Sequence, residues 1–271
     1  MPELPEVETT RAGVSPHILD QQVMYLKVRN HRLRWPVADN LASRIEGHRI
    51  HDVTRRGKYL LLHFEHGALL IHLGMTGSLR VLIEPEPPTY HDHFDIDFGS
   101  QLMLRYRDPR RFGCLLWADP PVDQHPLLIH LGPEPLSAEF NATYLKSACQ
   151  GRRQAIKSFI MDSRQVVGVG NIYANEALHL AGIHPHRQAG RIARQRLELL
   201  VSAIKAVLAK AIKQGGTTLR NFVNSDGNAG YFKQQLLVYG RQDKPCRACN
   251  TILLQSRLGA RTTVYCKHCQ R

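Results

Sequence analysis

The chain has 271 residues, 43% of them hydrophobic and 22% charged, as is typical of a globular protein with about two domains. It contains no apolar run near the roughly 20 residues that a membrane-spanning helix needs. Its acidic opening, MPELPEVETTR, lacks the apolar stretch of a secretory signal peptide, so we expect a cytoplasmic protein.

The charge balance indicates a polyanionic partner. Thirty-six Lys and Arg residues face 23 Asp and Glu residues, which leaves a net charge of +13. Nucleic acid is the commonest partner of so basic a protein. Charge that serves only solubility is the alternative. A membrane-surface role would require a basic amphipathic helix with bulky apolar residues opposite, and the best helical pattern in this chain is that of a core helix instead.

The N-terminal half is predicted to be mostly β. Residues 1–18 combine Pro-rich turns with a helix in which Pro5 suits a first position. From about 22 to 117, short β-rich runs alternate with Gly, Pro and small polar residues, and residues 65–67 and 99–101 resemble hairpin turns. Closely spaced strands of this kind predict an antiparallel sandwich or barrel-like domain.

The second half changes period after a Pro-rich linker at 119–138. Residues 194–213 place apolar side chains on one helical stripe, followed by two glycines, which predicts a long core helix. We therefore expect an α+β protein with a β-sandwich domain over 1–132, a helical domain over 133–236 and a small C-terminal unit over 237–271.

The C-terminal unit contains two C-x2-C pairs separated by sixteen residues, Cys246/Cys249 and Cys266/Cys269. Each pair can place two thiolates on one metal, and a hairpin between the pairs would complete a tetrahedral site with four cysteine ligands. Metal binding would supply the folding free energy that so short a unit lacks. The spacing predicts one structural Zn2+; two disulfides or four free thiols are the alternatives. Cys114, in contrast, lies in an apolar run and is predicted to be a small buried side chain.

The hairpin between the cysteine pairs is basic. Arg257 and Arg261 flank Gly259 at its expected tip. Arginines on a rigid hairpin suit contact with phosphates or insertion into a groove. A solvated charged turn is the alternative.

The second residue offers an unusual nucleophile. We expect removal of Met1, because Pro2 is small, and this would expose a secondary amine. An α-amino group has a pKa near 8, so its unprotonated fraction at neutral pH exceeds that of lysine by more than about a hundredfold. Its attack on C1′ of deoxyribose gives an iminium ion that permits β-elimination. Glu3 and Glu6 could protonate the sugar or move protons, although glutamates at such positions more often begin a solvated helix.

The opening MPELPEVETTRAGV closely resembles that of the bacterial formamidopyrimidine-DNA glycosylases. RRGKYLLLHF, IHLGMTGSLRV, YRDPRRFGCLLW, HLGPEPLS, VVGVGNIYANEALHLAGIHP, GGTTLRNFVNSDGNAGYF and the cysteine pairs follow in the family's order. The resemblance covers nearly the whole chain. It implies a repair enzyme that removes 8-oxoguanine and ring-opened purines from double-stranded DNA and then cuts the strand.

The resemblance also implies catalytic roles. Pro2 corresponds to the Schiff-base nucleophile, Glu3 to the proton donor, and Lys58 to the lysine that supports elimination. Arg261 corresponds to the finger arginine that holds phosphates at the lesion. On sequence alone, Lys58 would be an ordinary strand-edge lysine.

Further positions match DNA contacts of the family. Met75, Arg110 and Phe112 correspond to the three side chains that fill the space left by the extruded base. Residues 166–183 resemble the helix–two-turn–helix element, in which Asn171 would contact a phosphate, and residues 217–232 resemble the lesion-recognition loop. The remaining matches are His72, His91, Arg152, Lys157 and Tyr239.

The implied activity is that of a bifunctional glycosylase and lyase, acting as a monomer on nucleoid DNA. Two alternatives remain: an endonuclease VIII-like enzyme for oxidised pyrimidines, and a zinc-ribbon DNA-binding protein without catalysis. The PELPEV opening, the Met75/Arg110/Phe112 set and the 217–232 loop favour the purine branch over the first. The joint presence of Pro2, Glu3 and Lys58 is unexplained by the second.

Overall fold

The computed structural model of the protein describes residues 2–84, 86–215 and 236–271. These residues form two compact units. The first contains the described residues up to 129 together with 214 and 215, and the second contains residues 130–213 and 236–271.

The first unit is built on eight strands and two helices. They are α1 (Leu4–Ile18), β1 (Tyr25–Val28), α2 (Leu41–Ile45), β2 (Asp52–Arg56), β3 (Tyr59–Phe64), β4 (Gly67–His72), β5 (Ser78–Leu82), β6 (Asp92–Asp97), β7 (Met103–Arg107) and β8 (Cys114–Ala118). The strands form two antiparallel sheets with orders β1-β6-β7-β5 and β2-β3-β4-β8. Both sheets and α1 contribute apolar side chains to one core, which confirms the expected β-sandwich.

The outer face of the first sheet also carries a buried ion pair. On β7, Leu104 and Tyr106 point into the core, whereas Arg105 points to the opposite face and is nevertheless 1% exposed. Its guanidinium donates to both carboxylate oxygens of Asp95, each at 2.9 Å, and to the carbonyl of Glu86 at 2.9 Å. A buried charge is tolerated here because it is paired and hydrogen-bonded.

The predicted hairpin at 65–67 is present, and its glycine is required by packing in addition to the turn geometry that the sequence predicts. Phe64 pairs with Gly67, so Glu65 and His66 form the turn and Gly67 is the first residue of β4. A Cβ atom on Gly67 would lie 2.5 Å from the Trp117 ring, which leaves no room for a side chain. The glycine is therefore required by close packing as well as by its φ of +156°.

The second unit contains four helices and a β-hairpin. They are α3 (Ala142–Cys149), α4 (Ile156–Ile160), α5 (Asn171–Leu180), α6 (Arg194–Lys213), β9 (Leu254–Leu258) and β10 (Arg261–Tyr265). Helix α6 has the bounds that the apolar stripe predicts, and Leu197, Leu200 and Leu208 on that stripe are fully buried. The helical unit and the cysteine-containing hairpin confirm the expected α+β class. None of the described helices is long and apolar enough to cross a bilayer.

Candidate active site and nucleic-acid interface

The start of α1 holds the expected nucleophile and its acids. Pro2 is buried, and Glu3 and Glu6 are 2% and 1% exposed. Glu3 is the N-cap, and the Glu6 carboxylate accepts its backbone N–H at 2.9 Å, which forms a reciprocal capping box. Glu6 thereby fixes the backbone beside Pro2, a role in addition to the proton transfer expected from the sequence.

Lys58 lies in the turn between β2 and β3, next to Gly57, whose φ is +59°. Arg55 connects this turn to α1: its Nη1 donates to the Gly57 carbonyl at 2.9 Å and its Nε to the Glu8 carboxylate at 2.9 Å. Helix α1 and the Lys58 turn are therefore joined by charged hydrogen bonds. The sequence did not single out Glu8 or Arg55, because their pairing spans 47 residues.

His72 ends β4, directly across from Tyr59 in the register of the sheet. Its Nδ1 accepts the Gly74 N–H at 3.0 Å, so the neutral ring carries its proton on Nε2. Burial, followed by the positive charges of Lys58 and Arg34, lowers the pKa of His72 from 6.5 to about 4. At neutral pH, His72 is thus an uncharged Nε2–H donor.

The three side chains expected to fill the gap in the duplex lie on two turns of the first unit. Met75 is in the turn between β4 and β5, and Arg110 and Phe112 lie between β7 and β8. Phe112 is 43% exposed, and the Arg110 guanidinium stacks 4.6 Å above its ring. An exposed aromatic ring covered by an arginine is suited to insertion between bases.

His91 precedes β6 and has a fixed backbone, because its carbonyl accepts the Asp108 N–H at 3.0 Å. The ring of Tyr90, which is 93% exposed, lies 5.0 Å from the His91 ring.

In the second unit, Asn171 is the first residue of α5 and follows the N-cap Gly170. Gly168, two residues earlier, has a φ of +79°, a backbone conformation that favours glycine. The N-terminus of a helix is suited to bind a phosphate, because the helix dipole places partial positive charge there. Arg152 is exposed, and Tyr239 is half-buried.

Lys157 takes a different position from the other cationic candidates, since its side chain is buried and it is 1% exposed. Its Nζ donates to the Thr262 carbonyl and to the Thr263 hydroxyl, both at 2.8 Å. Lys157 therefore anchors β10 to α4.

The β9–β10 hairpin has the tip that the sequence predicts. Leu258 pairs with Arg261, and Gly259 in the intervening turn has a φ of +56°. Arg257 and Arg261 are both exposed beside this turn.

The four C-terminal cysteines form one cluster. Their Sγ atoms all lie within 4.8 Å of one another, with Cys246 and Cys269 at 4.0 Å and Cys249 and Cys266 at 3.4 Å. All six cysteines are free, so the disulfide alternative is wrong for these residues. Four thiolates around a tetrahedral metal at about 2.3 Å would be about 3.8 Å apart, so the cluster can hold a metal ion.

The surroundings shift the pKa values of the cluster's thiols in opposite directions. Hydrogen bonds from Thr251 lower the pKa of Cys249 to about 6, whereas burial raises that of Cys266. The backbone N–H of Ala248 points at Cys246 Sγ and that of Cys269 at Cys266 Sγ, both at 3.5 Å. Such donors stabilise metal-bound sulfur.

Helix α5 supports both the cluster and the segment that leads to it. Glu176, which is 2% exposed, accepts the backbone N–H groups of Leu237, Val238 and Tyr239 at 2.7–2.9 Å. The neighbouring Asn175 accepts the N–H of Val264 on β10 at 2.9 Å. Sequence reasoning missed both residues, because their partners lie more than 60 residues further along the chain.

The predicted lesion-recognition loop, 217–232, lies outside the described residues. The other predicted site residues fall on two sets of elements. Those on the first unit are Pro2, Glu3, Glu6, Lys58, His72, Met75, His91, Arg110 and Phe112; those on the second are Arg152, Lys157, Asn171, Tyr239, Arg261 and the four cysteines.

Comparison with known proteins identifies the two halves of this arrangement. Residues 1–115 match the model of the formamidopyrimidine-DNA glycosylase N-terminal domain, and residues 131–223 match that of the formamidopyrimidine-DNA glycosylase H2TH domain. The protein is therefore of the helix–two-turn–helix class of DNA glycosylases.

Full-length relatives lead to the same class of protein. Formamidopyrimidine-DNA glycosylases of Saccharophagus degradans and Methylococcus capsulatus are 55% and 56% identical over 271 residues, which is all of each chain. The chain belongs to the formamidopyrimidine-DNA glycosylase family.

Solved structures match over the same length. The MutM (Fpg) protein of Thermus thermophilus has a TM-score of 0.89 at 37% identity and covers 99% of this chain with 98% of its own. The Lactococcus lactis Fpg in complex with abasic-site DNA has a TM-score of 0.92 at 30% identity, with both chains fully covered. A MutM complex with DNA that contains carbocyclic 8-oxo-G has a TM-score of 0.91 at 31% identity.

Proposed function

We propose that the protein excises 8-oxoguanine and formamidopyrimidines from double-stranded DNA and then cleaves the strand as an abasic-site lyase. Full-length identity of 55–56% to formamidopyrimidine-DNA glycosylases carries this proposal. The buried Pro2 and Glu3, with the Lys58 turn tied to the same helix, are the local features that support it.

The proposed reaction begins at Pro2. Its free secondary amine attacks C1′ of the damaged nucleotide, the base leaves, and the ring opens to an iminium ion. Glu3 donates a proton to the sugar and moves protons during elimination, while the Glu6 carboxylate holds the Glu3 backbone. Lys58 supports loss of the C2′ proton and of the 3′ phosphate, and Arg261 assists loss of the 5′ phosphate. The product is a one-nucleotide gap.

The proposed DNA interface uses both units. Met75, Arg110 and Phe112 would fill the gap left by the extruded base, and phosphate contacts would offset the few kcal/mol that extrusion costs. The proposed phosphate contacts are His72, His91, Arg152, Asn171 and Tyr239. Because its Nζ is engaged with β10, Lys157 would act on DNA through the position of the hairpin.

The metal is proposed to be one structural Zn2+ held by Cys246, Cys249, Cys266 and Cys269. It would supply folding free energy to the hairpin that carries Arg261, and no chemical step would depend on it. The functional parts would be a catalytic sandwich over 1–132, a helical domain over 133–236 and a zinc finger over 237–271. We place the activity on cytoplasmic, nucleoid DNA, with the protein as a monomer.

Borohydride trapping tests the nucleophile. Protein without Met1 should form a covalent adduct with a duplex that contains 8-oxoguanine, and Pro2→Gly should form almost none. An N-terminal extension that blocks the amine should abolish trapping but leave DNA binding largely intact. Normal trapping by the extended protein would show that Pro2 is not the nucleophile.

Excision from paired 8-oxoguanine and thymine-glycol duplexes tests the substrate class. We expect faster release of 8-oxoguanine. Preference for thymine glycol would assign the protein to the oxidised-pyrimidine branch instead, and absence of any excision would favour a DNA-binding role alone.

A further inference from the structure

Asp108 follows β7 and is fully buried, with 0% exposure. Its carboxylate accepts four hydrogen bonds. The Thr76 hydroxyl and the Arg110 N–H donate to Oδ1 at 2.6 and 3.2 Å, and the Gly113 N–H and the Tyr106 hydroxyl donate to Oδ2 at 2.9 and 3.3 Å.

The backbone of Asp108 is held as firmly as its side chain. Its N–H donates to the His91 carbonyl at 3.0 Å, and its carbonyl accepts the Arg111 N–H at 3.2 Å. The same carbonyl lies 2.7 Å from Nε2 of His93, which is 3% exposed. The carboxylate therefore has a fixed place from which to act on its neighbours.

Three of the four donors belong to the two turns that carry the proposed gap-filling side chains. Thr76 directly follows Met75, and the N–H groups of Arg110 and Gly113 stand on either side of Phe112 in the chain. The Thr76 hydroxyl also accepts the Arg110 N–H at 3.3 Å, so one turn contacts the other directly.

The same two turns meet without intervening side chains. A Cβ atom on Gly74 would lie 2.5 Å from the Gly113 backbone nitrogen, and one on Gly113 would lie 2.3 Å from the His72 carbonyl oxygen. Since real Cβ atoms do not approach so closely, the two backbones pass each other at glycines. Two side chains lie at this crossing: the Asp108 carboxylate, which bonds both turns, and the Tyr106 hydroxyl, which would lie 1.8 Å from a Cβ atom on Gly113.

We propose that Asp108 is a positioning residue that holds the Met75 turn and the Arg110–Phe112 turn in one arrangement. It thereby sets the preference for the base opposite the lesion, because a guanidinium placed in the gap can hydrogen-bond the unpaired cytosine. The inference rests on the proposed function. Arg110 is fixed to Phe112 by stacking and to Asp108 by its own backbone, so its direction depends on this carboxylate.

An amide cannot replace the carboxylate. In Asp108→Asn, one orientation of the amide points its NH2 group at the Arg110 N–H, and the other points it at the Gly113 N–H. Each orientation opposes a donor with a donor. The first leaves the Arg110 N–H only its longer bond to the Thr76 hydroxyl, and the second leaves the buried Gly113 N–H without an acceptor. In the second orientation the Tyr106 hydroxyl can give its hydrogen to the His72 carbonyl, at 3.1 Å, and accept from the amide, but the Gly113 N–H has no such alternative.

The experiment compares wild type, Asp108→Asn and the control Asp119→Asn. The side chain of Asp119 is 68% exposed. Single-turnover excision is measured with 8-oxoguanine opposite cytosine and opposite adenine. Cleavage of a single-stranded abasic site reports the lyase chemistry without an opposite base. We expect Asp108→Asn to lower the cytosine-to-adenine rate ratio on the order of tenfold, because a buried hydrogen bond is lost, and to change lyase cleavage by less than about twofold.

Thr76→Val provides a second measurement if Asp108→Asn does not fold. It removes one donor to Oδ1 with little change in shape, and we expect the rate ratio to fall by about threefold. An unchanged ratio in the folded variants, or a parallel fall of excision and lyase cleavage, would overturn the assignment. Failure of the wild type to excise 8-oxoguanine would contradict the proposed function instead.

Discussion

His72 illustrates how a single residue acquires its chemistry from its surroundings. It stands beside Lys58 and Arg34, and it directs Nδ1 toward the Gly74 N–H. A protonated ring would add a third positive charge and would lose the acceptor for that N–H. The site thus selects a neutral imidazole whose remaining donor suits a phosphate oxygen.

This selection predicts a pH dependence of stability. Because the folded-state pKa of about 4 lies below the ordinary 6.5, the unfolded chain binds the proton first as the pH falls. The contribution of His72 to the free energy of unfolding should be constant above about pH 6.5 and should decrease between about pH 6.5 and 4. Its upper limit is roughly 3 kcal/mol, reduced by the partial exposure of the ring.

Chemical denaturation of wild type and His72→Gln at several pH values measures this contribution. The difference between the two proteins should narrow or reverse as the pH is lowered through this window. His51→Gln, at an exposed position, controls for the loss of an imidazole. A difference that stays constant from about pH 7 to about pH 4 would contradict the assignment.

Residues whose chemistry depends on local spacing could be read from the sequence. The C-x2-C pairs bring their own ligands together, and the four sulfur atoms do form one cluster. Asp108 could not be read in this way, because its acceptor role requires Thr76, which is 32 residues away in the chain. Arg105 and Asp95 look like solvent-facing strand residues but are buried as a pair.

At the scale of elements, a regular apolar period was sufficient to predict an element, whereas a sequence without one was not. Helix α6 spans the residues that its apolar stripe predicts, because the stripe repeats over about five turns. Strand β2, with the sequence DVTRR, does not have the pattern of a strand in the sequence, since charged residues hide its alternation. It is held in place by pairing with the strongly apolar β3.

The function of α5 as a support predicts the effect of a change at Glu176. In Glu176→Gln, one of the two orientations of the amide opposes the Leu237 N–H, and the other opposes those of Val238 and Tyr239. We expect hydrogen exchange at residues 237–239 to accelerate by at least about tenfold, since each lost charged hydrogen bond is worth about 1.5–3 kcal/mol.

The matched control is Glu198→Gln on α6, where the carboxylate is about half exposed and pairs with Arg194. Surface pairs of this kind contribute little, so exchange at 237–239 should be unaffected. Equal exchange in Glu176→Gln and wild type would mean that water or another group replaces the carboxylate.

At the scale of the whole molecule, the first unit and the C-terminal hairpin depend on different sources of stability. The first buries an extensive apolar core shared by two sheets. The C-terminal hairpin has a core of only five fully buried residues among those described, two of which are cysteines. We expect so small a core to need the proposed metal in order to offset the conformational entropy of its chain.

Metal removal should therefore destabilise the C-terminal hairpin and leave the first unit stable. After chelation, we expect amides of residues 246–271 to lose protection from exchange while β3 and β4 keep theirs, and DNA affinity to fall by at least about tenfold. Added Zn2+ should restore both. Cys249→Ala should reproduce the loss, whereas Cys149→Ala, at a buried thiol outside the cluster, should not. Full protection of the hairpin after chelation would contradict a folding role for the metal.

Because α5 holds two segments through consecutive residues, an insertion in this helix and a substitution in it have different effects. Asn175 and Glu176 are consecutive, and their acceptors face different partners. One residue inserted earlier in the helix would rotate both by about 100° and displace them by about 1.5 Å. Every acceptor would then miss its partner at once, whereas a substitution removes only one. The number of residues in α5 before Asn175 is therefore fixed by these contacts.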